Sequence, residues 1–326
     1  MGTREQVLAI LENRRGESVS GEELARALNV SRTAVWKGIR ELREGGYRIE
    51  AVTNKGYCLS PDTDILSPEG ILSHLGPGEW NLHIFQTLES TNQTAKRMAA
   101  DGAPHGAVII ADAQSAGRGR WNRTFYSPAG TGLYMSFVMR PQSLSLPDAA
   151  LVTAAAAVEV CRAIRDLTGK EAGIKWVNDV FLEGKKVGGI LTEAVTDFET
   201  ASVDWIILGV GLNVTTRAFP PELGEAAGCL FPDGRGRRNA VAARVIERFQ
   251  LLLARQSFGE YLGEYRERSL VVGREVTVLG AQGEYPAFAE EIDAQGRLVV
   301  RRKDGATEVL RSGEVSVRSW EVGSGE

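Results

Sequence analysis

Residues 20–44 read SGEELARALNVSRTAVWKGIRELRE, and two short helices with a break between them are legible in that run. Ser20 is an N-cap with Glu23 at the capping-box position, and Leu24 and Leu28 share one face. Asn29-Val30 makes the break. Ser31 caps the second helix, whose Val35, Ile39 and Leu42 form a buried stripe and whose opposite face carries Thr33, Trp36, Lys37 and Arg40. Upstream, Val7, Leu8 and Leu11 lie at helical spacing and Gly16 stops that helix; downstream, YRIEAVTNKGYCLS alternates and turns at Asn54-Lys55-Gly56. Three helices and a hairpin in this order describe a winged helix-turn-helix. The plainer reading is a small helical domain with a solvated basic face, and the hairpin in the wing position weighs against it.

Pro61 and the polar stretch PDTDILSPEG read as a linker, which places a boundary near residue 62. Beyond it helices and strands mix. HIFQTLES, GAVIIADAQ, GLYMSFVMR, VFLEG, KVGGILTEAV and DWIILGVGLNV read as strands, several with the apolar character of a sheet covered by helices. Helices are expected over 90–101, 147–168, 239–255 and 258–268, and the Ala-rich one over 147–168 carries charges throughout, as a packed helix does. From 269 to 326 short strands alternate with Gly-containing turns, the pattern of a small barrel. The fold class is therefore α+β in three parts, 1–62, 63–268 and 269–326.

The 326 residues carry a net charge of -4, so any nucleic-acid contact must come from a local face. Three cysteines without CxxC spacing make neither a disulfide framework nor a zinc knuckle, and they read as buried thiols in a reducing compartment. No run approaches the roughly 18 apolar residues of a membrane span, and the charged N-terminus is unlike a signal peptide. The expected location is the cytoplasm.

Four segments carry chemistry. DAQSAGRGRWNRTFYSP sets three arginines among small residues between two strands: glycine lets the backbone approach closely, and arginine offers a planar fork of donors for phosphate or carboxylate. A flexible solvated loop is the alternative. Trp121 is placed to cover a ligand or seal the loop. In LESTNQTAKRMAAD, Ser90 or Thr91 stands at a helix start, where capping alone suffices as an explanation and a polar ligand head is the other. IKWVNDVFLEGKKVGGILTE places Lys175 among apolar strand residues, where its charge acts strongly on an anion, with Asn178-Asp179 at the turn. Lys185 and Lys186 read as exposed turn residues, and Gly188-Gly189 permits close approach to the strand. ILGVGLNV lacks the third glycine of a dinucleotide fingerprint, so Gly209 and Gly211 suggest a ligand wall or close packing. A zinc enzyme or Ser/His/Asp hydrolase finds no support: HExxH is absent and His74, His83 and His105 are scattered.

In this order STN, QxxGRGR, KWxND with KxxGIL, and GxGxN resemble the biotin protein ligase family over nearly the whole chain, in particular its bifunctional members with an N-terminal winged helix-turn-helix that repress biotin synthesis. The resemblance implies a central mixed-sheet domain of the biotin/lipoate ligase type and a C-terminal SH3-like barrel. It implies attack of the biotin carboxylate on MgATP to give biotinyl-5'-AMP, then transfer to a lysine of a biotin carboxyl carrier domain. By carry-over Ser90, Thr91, Asn92 and Gln114 hold the biotin head, Arg118-Gly119-Arg120 orders over biotin and the adenylate phosphate, and Lys175 contacts carboxylate and phosphate. Gly188 and Gly189 line the biotin pocket, while Trp121, Asn178 and Asn213 lie toward the nucleotide. Arg32, Thr33, Trp36, Lys37 and Arg40 face operator DNA, and a homodimer along the central sheet is expected when ligand is bound. ATP with Mg²⁺ and biotin are the expected substrates, with no resident metal. Some relatives have a further glycine where this chain has Asn122, which puts the loop's flexibility in question; the loop is expected to be mobile without ligand. A regulator that senses biotin without transferring it and a lipoate ligase are the competing readings.

Overall fold

A computed structural model describes residues 2–317 except 54, 142–143, 145, 197–202, 235–236, 256, 281–282 and 312–313. The side chains of several further residues, Asn122 among them, also lie outside the described set.

The head is built from α1 (Thr3–Asn13), β1 (Ser18–Val19), α2 (Gly21–Leu28), α3 (Arg32–Glu44), β2 (Ile49–Val52) and β3 (Gly56–Leu59). Its core unites the residues that the helical spacing picked out, Val7, Leu8, Leu11, Leu24, Val35, Ile39 and Leu42. Ser20 and Ser31 both cap, accepting from Glu23 N at 3.0 Å and Ala34 N at 3.1 Å. Glu23 turns instead to Arg14, 2.5 Å away, so the reciprocal half of the expected capping box is not made. Asn29 ends α2 in the left-handed region at φ 53. Strand β1 went unread in the sequence; it pairs with β3, and Gly56 at φ 104 is required because a Cβ there would overlap the Val19 carbonyl. Asn54 of the hairpin turn lies outside the described residues.

The stretch read as a linker is folded down. Thr63 and Ser67 are buried, and Pro68–Leu72 forms α4, a short helix with Ser67 as its N-cap, wedged between α1 and the later helix over Arg238–Leu253.

The central unit comprises β4 (Leu82–Leu88), α5 (Thr91–Ala100), β5 (Val108–Gln114), β6 (Gly132–Met139), α6 (Leu146–Thr168), β7 (Gly173–Lys175), β8 (Asp179–Leu182), β9 (Lys185–Thr196), β10 (Val203–Asn213), α7 (Arg238–Leu253) and α8 (Leu262–Glu267). The seven strands form one mixed sheet in the order β4-β5-β6-β10-β9-β8-β7, with β4 and β5 parallel and the remaining neighbours antiparallel. Helix α5 covers one face over Ala95, Ala99, Ile109, Val138 and Ile207. Helices α6 and α7 cover the other, where the small side chains Ala154–Ala157 permit close packing. Every residue of β6 is buried, which explains its unbroken apolar run.

The last unit is an antiparallel five-stranded sheet, β14-β13-β12-β11-β15, from β11 (Glu275–Gly280), β12 (Gly283–Ile292), β13 (Leu298–Arg302), β14 (Thr307–Leu310) and β15 (Glu314–Val317). It is the small β unit expected; β14 and β15 do not pair with each other among the described residues. Its core, including Val276, Val278, Ala287 and Val300, is continuous with that beneath the central sheet. Cys161 is buried, its thiol pushed up to about 12 by loss of solvent, whereas Cys58 and Cys229 are only partly buried. Among the described residues no helix is long and apolar enough to cross a membrane.

Candidate functional site

A cleft of about 210 Å³ opens on the sheet where α5, the Gly/Arg loop, β7–β9 and the middle of β10 converge. One wall is polar. Ser90 occupies the N-cap position of α5 but makes no side-chain cap hydrogen bond, so the capping account of this serine does not hold. The first helical N–H, that of Thr91, donates instead to Gln114 Oε1 at 2.9 Å, across from the end of β5. Gln114 Nε2 donates to Ser127 Oγ at 3.0 Å, which anchors the amide and settles which end faces Thr91.

The opposite side is cationic. Arg118, Arg120 and Arg123 from the loop, Lys175 from β7 and Lys186 from β9 all line the cleft, and Asp179 is the single carboxylate among its described lining residues. Lys186 lies 2.7 Å from Asp179, so the expectation that it is an exposed turn residue fails; Lys185 is the exposed one. The antiparallel register Asp179↔Gly189 brings them together, a relation absent from local pattern. The loop is folded on itself: Gly119 N donates to Arg123 O at 2.7 Å and Phe125 N to Gly117 O at 2.9 Å. Its left-handed residue is Trp121 at φ 56, which is 66% exposed and lines the cleft, as does Leu223. Arg118 faces Glu89 at 3.8 Å on the exposed rim.

The glycines divide by role. A Cβ on Gly211 would come 2.5 Å from the Phe125 ring, and one on Gly209 would overlap the Asn92 amide; both keep the cleft floor thin. Gly189 lines the cleft. Gly188 does not: its missing Cβ makes room for Leu212 and the Gly211 carbonyl inside the sheet. Asn213 lies outside the lining too, donating to Gly228 O at 2.9 Å. Asn178 lines the cleft and braces it, donating to Ile190 O at 2.7 Å.

Residues that sequence reasoning did not single out support this frame. Trp176, beside Lys175, is buried and donates to Gly296 O at 3.0 Å, while Tyr265 OH donates to Val177 O at 2.8 Å. The strand that presents Lys175 is thus held by α8 and the C-terminal unit. Ser136, on β6, lies 2.8 Å from Thr91 Oγ1 and 2.6 Å from Asn92 Oδ1. Glu193 receives Asn92 Nδ2 at 2.7 Å and pairs with Lys96.

Away from the cleft, Arg32, Thr33, Trp36, Lys37 and Arg40 are all exposed on α3. The Arg40 guanidinium lies 5.1 Å from the Trp36 ring centroid.

The sequence matches the family model of the Biotin/lipoate A/B protein ligase family over residues 84–213, an HTH domain over 3–58 and the Biotin protein ligase C terminal domain over 271–318. It is 33% identical to the bifunctional ligase/repressor BirA of Bacillus subtilis over 318 residues, covering 94% of this chain and 96% of that one. The chain belongs to the biotin protein ligase family. A second family member, the bifunctional ligase/repressor BirA of Escherichia coli, is 29% identical over 97% of each chain. The biotin protein ligase of Aquifex aeolicus, solved in complex with biotin and ATP, superposes with a TM-score of 0.62 at 29% identity, over 74% of this chain and 99% of that one.

Proposed function

We propose that this chain is a biotin protein ligase that forms biotinyl-5'-AMP from biotin and ATP and transfers biotin to a lysine of a biotin carboxyl carrier domain, and that its head binds operator DNA as a biotin-responsive repressor. The observation that carries the enzymatic reading is the meeting, in one cleft, of the polar wall at Ser90, Thr91 and Gln114 with cations from three separate segments.

The polar wall holds the ureido head of biotin. Its carboxylate then points toward Lys175, Arg118 and Arg120, and these neutralise the carboxylate and the phosphate that it must approach. Two anions do not meet otherwise, so charge neutralisation and alignment are the catalytic contributions of these residues. No protein nucleophile is required. Magnesium enters as MgATP, and the carboxylate of Asp179 faces Lys186. Trp121 and Leu223, exposed and apolar in the cleft lining, are suited to cover the adenylate and keep water from the acyl phosphate. Closure of the Gly/Arg loop belongs to the same proposal.

Domain limits at 62 and 268, a liganded homodimer and a cytoplasmic location complete the reading. A two-fold operator needs a two-fold protein, which supports the dimer.

Pyrophosphate release with biotin and ATP, followed by transfer of labelled biotin to a carrier domain, tests the enzyme. Lys175→Ala and Arg118→Ala are each expected to reduce release by a factor on the order of 100 or more. Full activity in both variants would overturn the site assignment. Release without transfer would favour a biotin-sensing regulator, and preference for lipoate over biotin would favour the neighbouring ligase class. Deleting residues 1–62 is expected to abolish operator binding.

A further inference from the structure

The polar wall of the cleft is backed by a chain of hydrogen bonds with a defined direction. Asn92 stands next to Thr91 at the start of α5 and is buried. Its Nδ2 lies 3.2 Å from Leu191 O and 2.7 Å from Glu193 Oε2. A backbone carbonyl and a carboxylate have no proton to give, so both amide protons of Asn92 are donated outward and Oδ1 must face the other way. There it meets Ser136 Oγ at 2.6 Å, and Ser136 donates its single proton to it. The Ser136 oxygen can then only accept from Thr91 Oγ1, 2.8 Å away. Thr91 has one alternative acceptor, Gln114 Oε1 at 3.2 Å, which also lies in the protein. On either choice the Thr91 proton points into the protein and an oxygen lone pair is left for the cleft.

The origin of this direction is Glu193. Its other carboxylate oxygen is held by Lys96, one helical turn beyond Asn92 on α5. We propose that Glu193, fixed by Lys96, is a positioning residue that sets the proton direction through Asn92 and Ser136 so that the inner wall accepts a hydrogen bond from a ureido N–H. The proposal rests on the biotin reading and adds to it the group that makes the wall selective for a donor. Gly209 has a part in the same device, since a side chain there would displace the Asn92 amide.

A substitution pair separates this role from a structural one. In Glu193→Gln the positive Lys96 takes the new amide oxygen and turns the amide nitrogen toward Asn92 Nδ2, setting donor against donor. Removing that cation in Lys96→Met with Glu193→Gln lets the oxygen swing back toward Asn92. The single variant is expected to raise the biotin KM about tenfold or more, the effect of a buried hydrogen bond set wrongly, with the ATP KM unchanged. The double variant is expected to recover most of that loss. An isosteric carbamate analogue of biotin, with one ureido N–H replaced by oxygen, should be rejected more strongly by the wild type than by Glu193→Gln.

A wild-type biotin KM in Glu193→Gln, or a double variant as impaired as the single, would overturn the assignment. So would equal losses toward biotin and ATP. A wild-type protein that releases no pyrophosphate overturns the ligase reading and this proposal with it, whereas an active wild type makes the comparison a test of Glu193 alone.

Discussion

Gly211 separates β10 from the ring of Phe125, and the ring has no room to retreat because it stands edge-on to Tyr134, with centroids 6.4 Å apart. Tyr134 is fixed in turn by donating to Pro128 O at 3.0 Å. A methyl at position 211 therefore drives Phe125 into the cleft. Gly211→Ala is expected to raise the biotin KM by on the order of 10- to 100-fold while the protein remains folded, as steady-state kinetics beside a melting curve will register. An unchanged KM would mean that the ring moves away from the ligand. The sequence GVGLN carried half of this: two glycines in a buried strand signal a wall or close packing, and the structure divides the duties between Phe125 and Asn92. Lys186 and Glu193 were not legible. Each depends on strand register or on a helix packed across the sheet, and neither leaves a trace in local spacing.

At the scale of elements, α1 meets the folded-down segment 63–72 through charged groups with little solvent. The Glu12 side chain is wholly buried; Arg15 reaches it at 2.5 Å, and Arg15 also donates to Thr63 O at 2.6 Å. Burial pushes the Glu12 carboxyl above the ordinary carboxylate range, against the pull of Arg15, with Glu69 nearby pushing the same way. The sign follows from proton binding. With its pKa raised in the folded state, Glu12 keeps its proton in the fold at a pH where the unfolded chain has lost it. Its contribution is therefore full at low pH and declines as pH rises from about 4.5 through the raised value. Glu12→Gln lacks that decline, so its melting temperature relative to wild type is expected to climb between pH 4.5 and pH 7, followed by thermal denaturation in matched buffers. A difference that shrinks with pH would show that the Arg15 pair outweighs burial. The helices α1, α2 and α3 were legible because caps and apolar stripes are local signals. The segment 63–72 was not, since the stretch PDTDILSPEG at 61–70, with its two prolines and two aspartates, looks like a tether until its distant partners are known.

Those partners set the organisation of the whole molecule. Arg238, 2% exposed at the start of α7, pairs with Asp112 on β5 and lies 3.3 Å from Asp64 in the segment below the head; its backbone N–H donates to the same Asp64 carboxylate at 3.0 Å. Asn239 adds bonds to Ser67 N and Ile65 O, and Gly70 leaves the space that this amide fills. The contacts span 126 to 174 residues of chain, so no window of sequence could announce them. They tie the head to a strand that ends two residues later at Gln114, in the wall of the cleft. Replacing Arg238 by Met keeps the volume but leaves two aspartates without their cation, and breaking a buried pair in this way costs about 3–5 kcal/mol. The melting temperature of Arg238→Met should fall by roughly 6–20 °C. Limited proteolysis should then cut within 61–72, because the Asp64 and Ser67 anchors fail together. A variant that melts as wild type and resists cleavage there would mean that the head is held by α1 and α4 alone, and that Arg238 serves only β5.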